Sequence, residues 1–165
     1  MDLPDNIADF WSRFLASTDR DDQTPLFDVF YFGDSEALAA SLAELVLSGN
    51  KIATSALVWD YEAEQLRAPR RGDLSVVTAW SGEPLCVIEI TDVQVVPFDD
   101  VDADFAAAEG EGDRSLEYWR EAHWSFFGRM CASLGRERSR TMPVVCSRFE
   151  MVYREDFDSS DGESR

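Results

Sequence analysis

The sequence predicts one α+β domain, a small mixed β-barrel with flanking helices and an N-terminal helical extension. A length of 165 residues suits a single domain. Apolar residues recur at helical spacing in the first 48 residues, and short runs rich in Val, Ile and Thr follow, as is typical of strands. Two helices followed by strands with further helices inserted between them indicate a mixed barrel.

Two helices are predicted before the barrel, in residues 1–48. The first runs from Asp5 to Ala16, where apolar residues repeat at i, i+3, i+4, i+7 and i+8. The second helix is predicted to begin after Asp34, its N-cap, and to end at Gly49, its C-terminal cap. Both apolar stripes are interpreted as faces that pack into the core.

The pattern changes to that of β-strands from residue 51 onward. Strands are predicted at Lys51–Leu57, Leu74–Trp80 and Leu85–Val96, and a turn at Ser81-Gly82 joins the last two. The barrel predicted here begins near residue 49 and ends near residue 154. We expect the N-terminal helices to pack against it.

The second half of the barrel is predicted to contain two helices and two closing strands. Asp99 or Asp100 caps a short helix that ends near Ala108, and an acidic loop, EGEGD, covers residues 109–113. A long helix then runs from Ser115 to Leu134, and residues 143–147 and 149–153 form strands. Residues 155–165 are mostly polar and acidic, and this composition predicts a disordered tail.

The charge of the chain limits the partners that it can bind. Fifteen basic and 33 acidic residues give a formal net charge of −18. A protein that binds a long nucleic acid usually presents a basic face, so long DNA is not expected. A small nucleoside-like ligand suits this charge better, and RNA binding through a local patch stays open.

The sequence also limits the location of the protein. No apolar run approaches the ~20 residues of a membrane helix, and the first residues lack the pattern of a signal peptide. We therefore expect a cytoplasmic protein without a membrane partner.

The sequence predicts no metal and no cofactor. The three cysteines are an odd number without CxxC spacing, which favours neither a disulfide framework nor a zinc site. His123 is the one histidine, and we assign it to helix packing. Four carboxylates could attract Mg²⁺, but their place at a helix start explains them better. They are Asp99, Asp100, Asp102 and Asp104.

Lys51 is the one lysine of the chain, whereas the other 14 basic residues are arginines. Arginine does not readily lose its proton, but a lysine near a pocket can have a lowered pKa and act as a base or nucleophile. The composition therefore marks Lys51 as a candidate functional residue. Chance retention of a single lysine is the alternative.

Residues 49–153 carry a series of motifs that resemble the ASCH domain family, a relative of the PUA fold. In chain order these are G-x-K-x-x-T within LSGNKIATSAL, a strand ITDVQVVPF, AEGEGD, S-L-x-x-W-R-x-x-H, a Phe pair and VVCSRFEMVY. The first motif alone is weak, but the full set in this order makes the resemblance strong. It implies a PUA-like barrel over residues 49–154.

The resemblance also implies a pocket at the barrel mouth that binds RNA or a nucleoside. Some small members resemble amidohydrolases that remove an acyl group from the exocyclic amine of a modified cytidine, and others are ribonucleases. The functional residues of the amidohydrolase pattern fall on Lys51, Thr54 and Glu111. A non-catalytic module that binds RNA or a nucleotide is the alternative.

These three residue types also suit amide hydrolysis chemically. The Thr54 hydroxyl or a water molecule could attack, activated by a Lys51 that partial burial makes less basic, and Glu111 could protonate the leaving amine. The alternative is an ion pair between lysine and glutamate that bridges the acidic loop to the barrel. Residues 51 and 54 point to opposite faces of a regular strand, so a shared site needs Lys51 in the preceding turn or a bulge.

Further residues are candidates for substrate binding. Ala56 stands where the amidohydrolase pattern carries an arginine, so another residue would have to supply that cation. The candidates are Arg67, Arg70, Arg71 and Arg120. Arg70 and Arg71 could contact phosphate, or they could belong to a solvated turn. Trp59 and Tyr61 follow the motif strand and could stack on a base, or they could pack into the core.

Overall fold

The computed structural model describes residues 2–155, and a five-stranded sheet forms its centre. The strands are β1 (Asp28–Phe30), β2 (Ala53–Leu57), β3 (Leu74–Thr78), β4 (Pro84–Pro97) and β5 (Pro143–Arg154). Their order across the sheet is β1-β3-β4-β5-β2, with β1 parallel to β3 and every other pair antiparallel. The sheet curls into a half-barrel, which confirms the predicted α+β fold class.

Five α-helices flank the sheet. They are α1 (Asp5–Ser17), α2 (Glu36–Leu47), α3 (Val58–Ala63), α4 (Ala103–Glu109) and α5 (Leu116–Ser133). Each one in the described part of the chain is too short or too polar to cross a lipid bilayer.

Two predicted helix caps are wrong. Ser35, not Asp34, caps α2, because the Ser35 hydroxyl accepts a hydrogen bond from the backbone N–H of Leu38. Neither Asp99 nor Asp100 caps α4, because both belong to a 3₁₀ turn that precedes it. The cap of α4 is Asp102, whose carboxylate accepts from the N–H of Phe105.

The sequence interpretation missed two short elements and divided one long strand. β1 and α3 have three and six residues, too few to show a hydrophobic period. β5 runs unbroken through Arg148, where two separate strands were predicted. β1 lies within the predicted N-terminal extension and pairs with β3 at the sheet edge. The domain boundary at residue 49 stays a prediction, and the tail after Glu155 lies outside the described residues.

Each face of the sheet packs against a different part of the chain. On the convex face, α1 covers Leu74, Val76 and Val87. Another cluster joins α4 and α5 to Ala53 and Leu57 of β2. The concave face carries Val77, Ile88, Ile90 and Phe149, which pack against residues such as Phe32 and Val46. The concave face and the adjoining edge strand β2 position the candidate site.

Candidate functional site

Lys51 lies at the centre of a buried charge network. Its side chain is 1% exposed, and its Nζ donates hydrogen bonds to three oxygens. These are the backbone oxygen of Ala53 at 2.8 Å, Oε1 of Glu109 at 2.8 Å and Oε2 of Glu111 at 3.1 Å. An ammonium group has three donors, so the protein satisfies all of them.

The backbone brings the lysine and the two glutamates together from distant parts of the sequence. β2 begins at Ala53, so Lys51 lies in the turn after α2, which is one of the two arrangements that a site shared with Thr54 allowed. Glu109 ends α4, and Gly110 follows with a φ of 76°. A side chain at Gly110 would collide with the backbone oxygen of Asn50. Glycine therefore lets the acidic loop approach the lysine turn.

Glu109 is the most enclosed carboxylate of the site, and sequence reasoning missed it. Its Oε2 accepts hydrogen bonds from the Ser55 hydroxyl at 2.6 Å and from Trp119 Nε1 at 2.8 Å. His123 stacks on Trp119 and places its Nε2 3.5 Å from the same oxygen. Both oxygens of Glu109 are thus occupied by the protein. Glu109 lies four residues after the buried Phe105, and this helical spacing was an available signal for its burial.

The pKa values of Lys51 and Glu109 shift in opposite directions. Burial alone would lower the pKa of Lys51, but the carboxylates of Glu109 and Glu111 outweigh it and hold that pKa above its usual value. Burial alone would raise the pKa of Glu109, yet the Lys51 ammonium holds that pKa well below its usual range. Lys51 is therefore a charged group rather than the weakly basic amine expected from the sequence.

Glu111 differs from Glu109 in its hydrogen bonds and in the direction of its pKa shift. Burial and the nearby Glu109 carboxylate raise the pKa of Glu111, although the Lys51 ammonium opposes them. Its side chain is 16% exposed, and only its Oε2 has a hydrogen-bond partner within residues 2–155. Glu111 is thus the carboxyl of the site that can exchange a proton with a ligand.

Two neighbouring cavities lie beside this network. The smaller, of about 210 Å³, is lined by residues that include Lys51, Glu111 and His123. The larger, of about 440 Å³, has mainly apolar and aromatic walls on the concave face. Five residues line both cavities: Phe32, Gly33, Thr54, Ser55 and Phe126. The larger cavity alone has a volume within the range of known small-molecule sites.

The cavities carry an excess of negative charge. Asp28, Asp34 and Asp60 line the larger cavity, in addition to the two glutamates of the smaller one. Within residues 2–155 the lysines and arginines that line either cavity are Lys51 and Arg129. Lys51 is held by its glutamates, and Arg129 Nε pairs with Asp34 at 2.8 Å. The described chain therefore offers a phosphate group no unpaired cation here.

The structure brings some of the predicted site residues together and leaves others apart. Lys51, Thr54 and Glu111 line the smaller cavity, and Tyr61 lines the larger one. Trp59 packs against the core, and the guanidinium of Arg136 stacks on its ring. Trp59 lines neither cavity.

The predicted arginines do not line either cavity, although Arg67 stacks on Phe27, which lines the larger one. Arg70 and Arg71 are exposed, and the backbone N–H of Arg70 donates to Asp73 in a turn. Arg67 pairs with the same aspartate. Arg120 donates to the backbone oxygen of Asp99. None of them supplies the cation that is missing at Ala56.

Three side chains have a spacing that could hold a metal ion. The ligand atoms of Glu109, Glu111 and His123 lie within 4.8 Å of one another. However, the Lys51 ammonium already lies between the two carboxylates, and Glu109 has no free oxygen. A divalent cation would have to displace a buried ammonium group, so the donor set suits a metal poorly.

Comparisons with known proteins identify the family. A family model of the ASCH domain matches residues 28–153. The crystal structure of an ASCH domain from Lactobacillus crispatus JV V101 is 38% identical, with a TM-score of 0.84 over 92% of this chain and 97% of that chain. A crystal structure from Enterococcus faecalis V583, assigned to the family model DUF984, is 32% identical. Its TM-score is 0.86 over 99% of this chain and 98% of that chain. No curated protein matches. This chain belongs to the ASCH domain family.

Proposed function

We propose that this protein binds a nucleoside-like ligand across the two neighbouring cavities and hydrolyses an amide on its base, of the N4-acylcytidine type. One observation carries the proposal. Glu111 lines the smaller cavity, next to the ligand-sized larger one, with one oxygen fixed by Lys51 and the other without a partner in residues 2–155. Its raised pKa favours a protonated carboxyl that can donate to a leaving amine.

The other residues of the network take roles that follow from their contacts. Attack on the amide carbon comes from a water molecule or from the Thr54 hydroxyl, which lines both cavities. Glu111 gives its proton to the amine as the carbon–nitrogen bond breaks, and the resulting carboxylate takes up the proton that the attacking oxygen loses. If Thr54 attacks, the acyl group is left as an ester on Thr54, and water then hydrolyses this ester to release the acid. Lys51 and Glu109 hold Glu111 in place. Because Lys51 stays charged, we do not assign it the role of a base.

The acidic cavities favour a ligand without phosphate. Five carboxylates line the two cavities, and the cations among the described lining residues are already paired. A nucleoside avoids the repulsion that a nucleotide or an RNA strand would meet. The three cysteines are free thiols, which suits the reducing cytoplasm in which we place the protein.

We expect cytidine to bind about 10-fold more tightly than cytidine 5′-monophosphate at low ionic strength, because the phosphate approaches several carboxylates. Titration calorimetry with both ligands measures this ratio. The difference should shrink at about 1 M salt, which screens charge over a few ångströms. Equal or tighter binding of the monophosphate at low salt would contradict the charge argument.

A non-catalytic binding module is the second candidate, and one observation favours it. All three donors of Lys51 are satisfied by the protein, as expected of an ion pair that bridges the acidic loop to the barrel. Incubation of the wild type with N4-acetylcytidine and with single-stranded RNA separates the candidates. Release of cytidine supports the hydrolase, cleavage of RNA indicates a ribonuclease, and binding without either reaction indicates the module.

A further inference from the structure

The smaller cavity has an apolar wall to which the proposed reaction assigns no role. Leu38 and Leu42 line this cavity from α2, where they lie one helical turn apart, and Ala122 and Phe126 line it in the same way from α5. None of these side chains can hydrogen-bond or transfer a proton. They form a surface on which a short hydrocarbon chain would be removed from water. The cavity therefore combines the carboxyl of Glu111 with an apolar wall.

The covalent structure of an N4-acylcytidine places its acyl group in this cavity. The base is proposed to lie in the larger cavity, with its amide nitrogen near Glu111, which lines the smaller one. Thr54, whose hydroxyl is one of the two candidate nucleophiles, lines both cavities. The acyl carbon is bonded to the nitrogen on the side away from the ring. The rest of the acyl chain therefore continues into the smaller cavity.

Tyr118 separates the smaller cavity from the solvent. Its side chain lines this cavity, yet the residue is 41% exposed. It lies in the first turn of α5, where its backbone N–H donates to the Ser115 hydroxyl at 3.0 Å. Removal of the phenol ring would therefore leave the cavity more open to solvent.

Gly112 allows the ring of Tyr118 to lie against the acidic loop. A Cβ atom at Gly112 would lie 2.5 Å from Cε1 and Cζ of Tyr118, which is too close for any other residue at this position. Gly112 also has a φ of 59°, in the left-handed region that glycine adopts most readily. The ring is thus packed on the loop that carries Glu111.

The volume of the smaller cavity limits the acyl group that it can hold. The cavity measures about 210 Å³. A water molecule takes up about 30 Å³ in the liquid, so the cavity has room for about seven non-hydrogen atoms. An acetyl group fits with space to spare, whereas an octanoyl group exceeds the space unless the outer wall opens.

We propose that the smaller cavity binds the acyl group of the substrate, and that Tyr118 is a specificity-determining residue that limits the length of the acyl chain. This inference rests on the proposed function and deepens it, because it names the acyl groups that the enzyme accepts. Gly112 has a supporting role, since it allows the ring of Tyr118 to hold its position.

The first test compares kcat/KM for N4-acetylcytidine and N4-octanoylcytidine. The wild type should prefer the acetyl substrate at least about 10-fold, because a chain too long for an apolar pocket is rejected by this factor or more. Tyr118→Ala should raise the octanoyl-to-acetyl ratio about 10-fold, whereas Tyr118→Phe keeps the ring and should keep the wild-type ratio. Tyr31→Ala is the matched control, since Tyr31 is 42% exposed and lines the larger cavity only. Its ratio should stay within about 2-fold of the wild type.

Gly112→Ala tests the contact between the loop and the ring. The new Cβ displaces the ring of Tyr118, so this variant should raise the octanoyl-to-acetyl ratio in the same direction as Tyr118→Ala. Added to Tyr118→Ala, it should change the ratio no further, because the ring on which it acts is absent. A wild-type ratio in Gly112→Ala would contradict the supporting role of Gly112.

Binding of N4-propylcytidine and N4-octylcytidine separates this inference from the proposed function, because neither ligand has an amide to cleave. Titration calorimetry should show that the wild type binds the propyl ligand at least about 10-fold more tightly, and that Tyr118→Ala reduces this preference.

If the wild type shows this preference but hydrolyses no N4-acylcytidine, the proposed function fails and the cavity still selects the substituent by length. If Tyr118→Ala leaves both the hydrolysis ratio and the binding preference unchanged, the inference about Tyr118 fails alone. A wild type that neither hydrolyses nor binds any of these compounds would overturn both.

Discussion

Glu111→Gln should lower the rate of N4-acetylcytidine hydrolysis by about 10²–10⁴-fold, the usual contribution of one positioned acid or base. Glutamine keeps the size of the side chain and can still accept from Lys51, but it has no proton to give. Chromatographic measurement of released cytidine gives the two rates. Glu121→Gln, at an exposed position of α5, is the matched control and should retain the wild-type rate. A Glu111→Gln enzyme of full activity would contradict the role of Glu111.

The pH dependence of the same reaction provides an independent measure of this role. The pKa of Glu111 lies above its usual value, so the protonated acid persists to higher pH than for an ordinary glutamate. The rate should be high below that pKa and fall as the pH rises through it. The residual activity of Glu111→Gln should not show this fall. A rate that rises across the same range would assign Glu111 the role of a base.

Glu109→Leu should destabilise the protein by about 3–5 kcal/mol, because it removes the nearest carboxylate from a buried ammonium group. It also leaves the donors of Ser55 and Trp119 without their acceptor. Urea unfolding followed by fluorescence measures the loss. Lys51→Met should also destabilise, since it leaves Glu109 charged in an enclosed site.

The double variant Lys51→Met/Glu109→Leu distinguishes a buried pair from two independent residues. Because neither buried charge remains, its loss of stability should be smaller than the sum of the two single losses by about 1–3 kcal/mol. If the loss of the double variant equals the sum of the two single losses, Lys51 and Glu109 do not act as a pair. Recovered stability without recovered hydrolysis would further show that the pair serves the site and not the fold.

The sequence allowed the fold class and the position of Lys51 to be predicted because strong local signals mark them. The chain has one lysine, in a motif that follows a glycine-terminated helix, and the glycine has a φ of 84°. The strands β3 and β4 have clear runs of branched residues. The expected meeting of Lys51, Thr54 and Glu111 also depended on the family resemblance.

Other features depend on tertiary contacts that no local pattern reveals. Glu109 and Glu111 are two residues apart in a glycine-rich acidic segment, and only their burial distinguishes the fixed carboxylate from the one facing the cavity. Arg70 and Arg71 form a dense basic segment, yet they are exposed in a turn at Asp73 and line neither cavity.

The pKa of Lys51 shows why residue type alone misled the chemical interpretation. A lysine in an apolar pocket would lose basicity, and that expectation made it a candidate base. Here two carboxylates approach it within 3.1 Å, and their attraction outweighs the effect of burial. The same lysine keeps its proton more strongly than an ordinary lysine, and its ammonium group holds one oxygen of Glu111, the proposed acid.

A crystal structure with bound cytidine tests the central claim most directly. The ring should lie in the larger cavity, with its exocyclic amine directed toward Glu111. The Lys51–Glu109 contact should stay in place. Cytidine bound elsewhere on the protein, or in this cavity with its amine directed away from Glu111, would contradict the account.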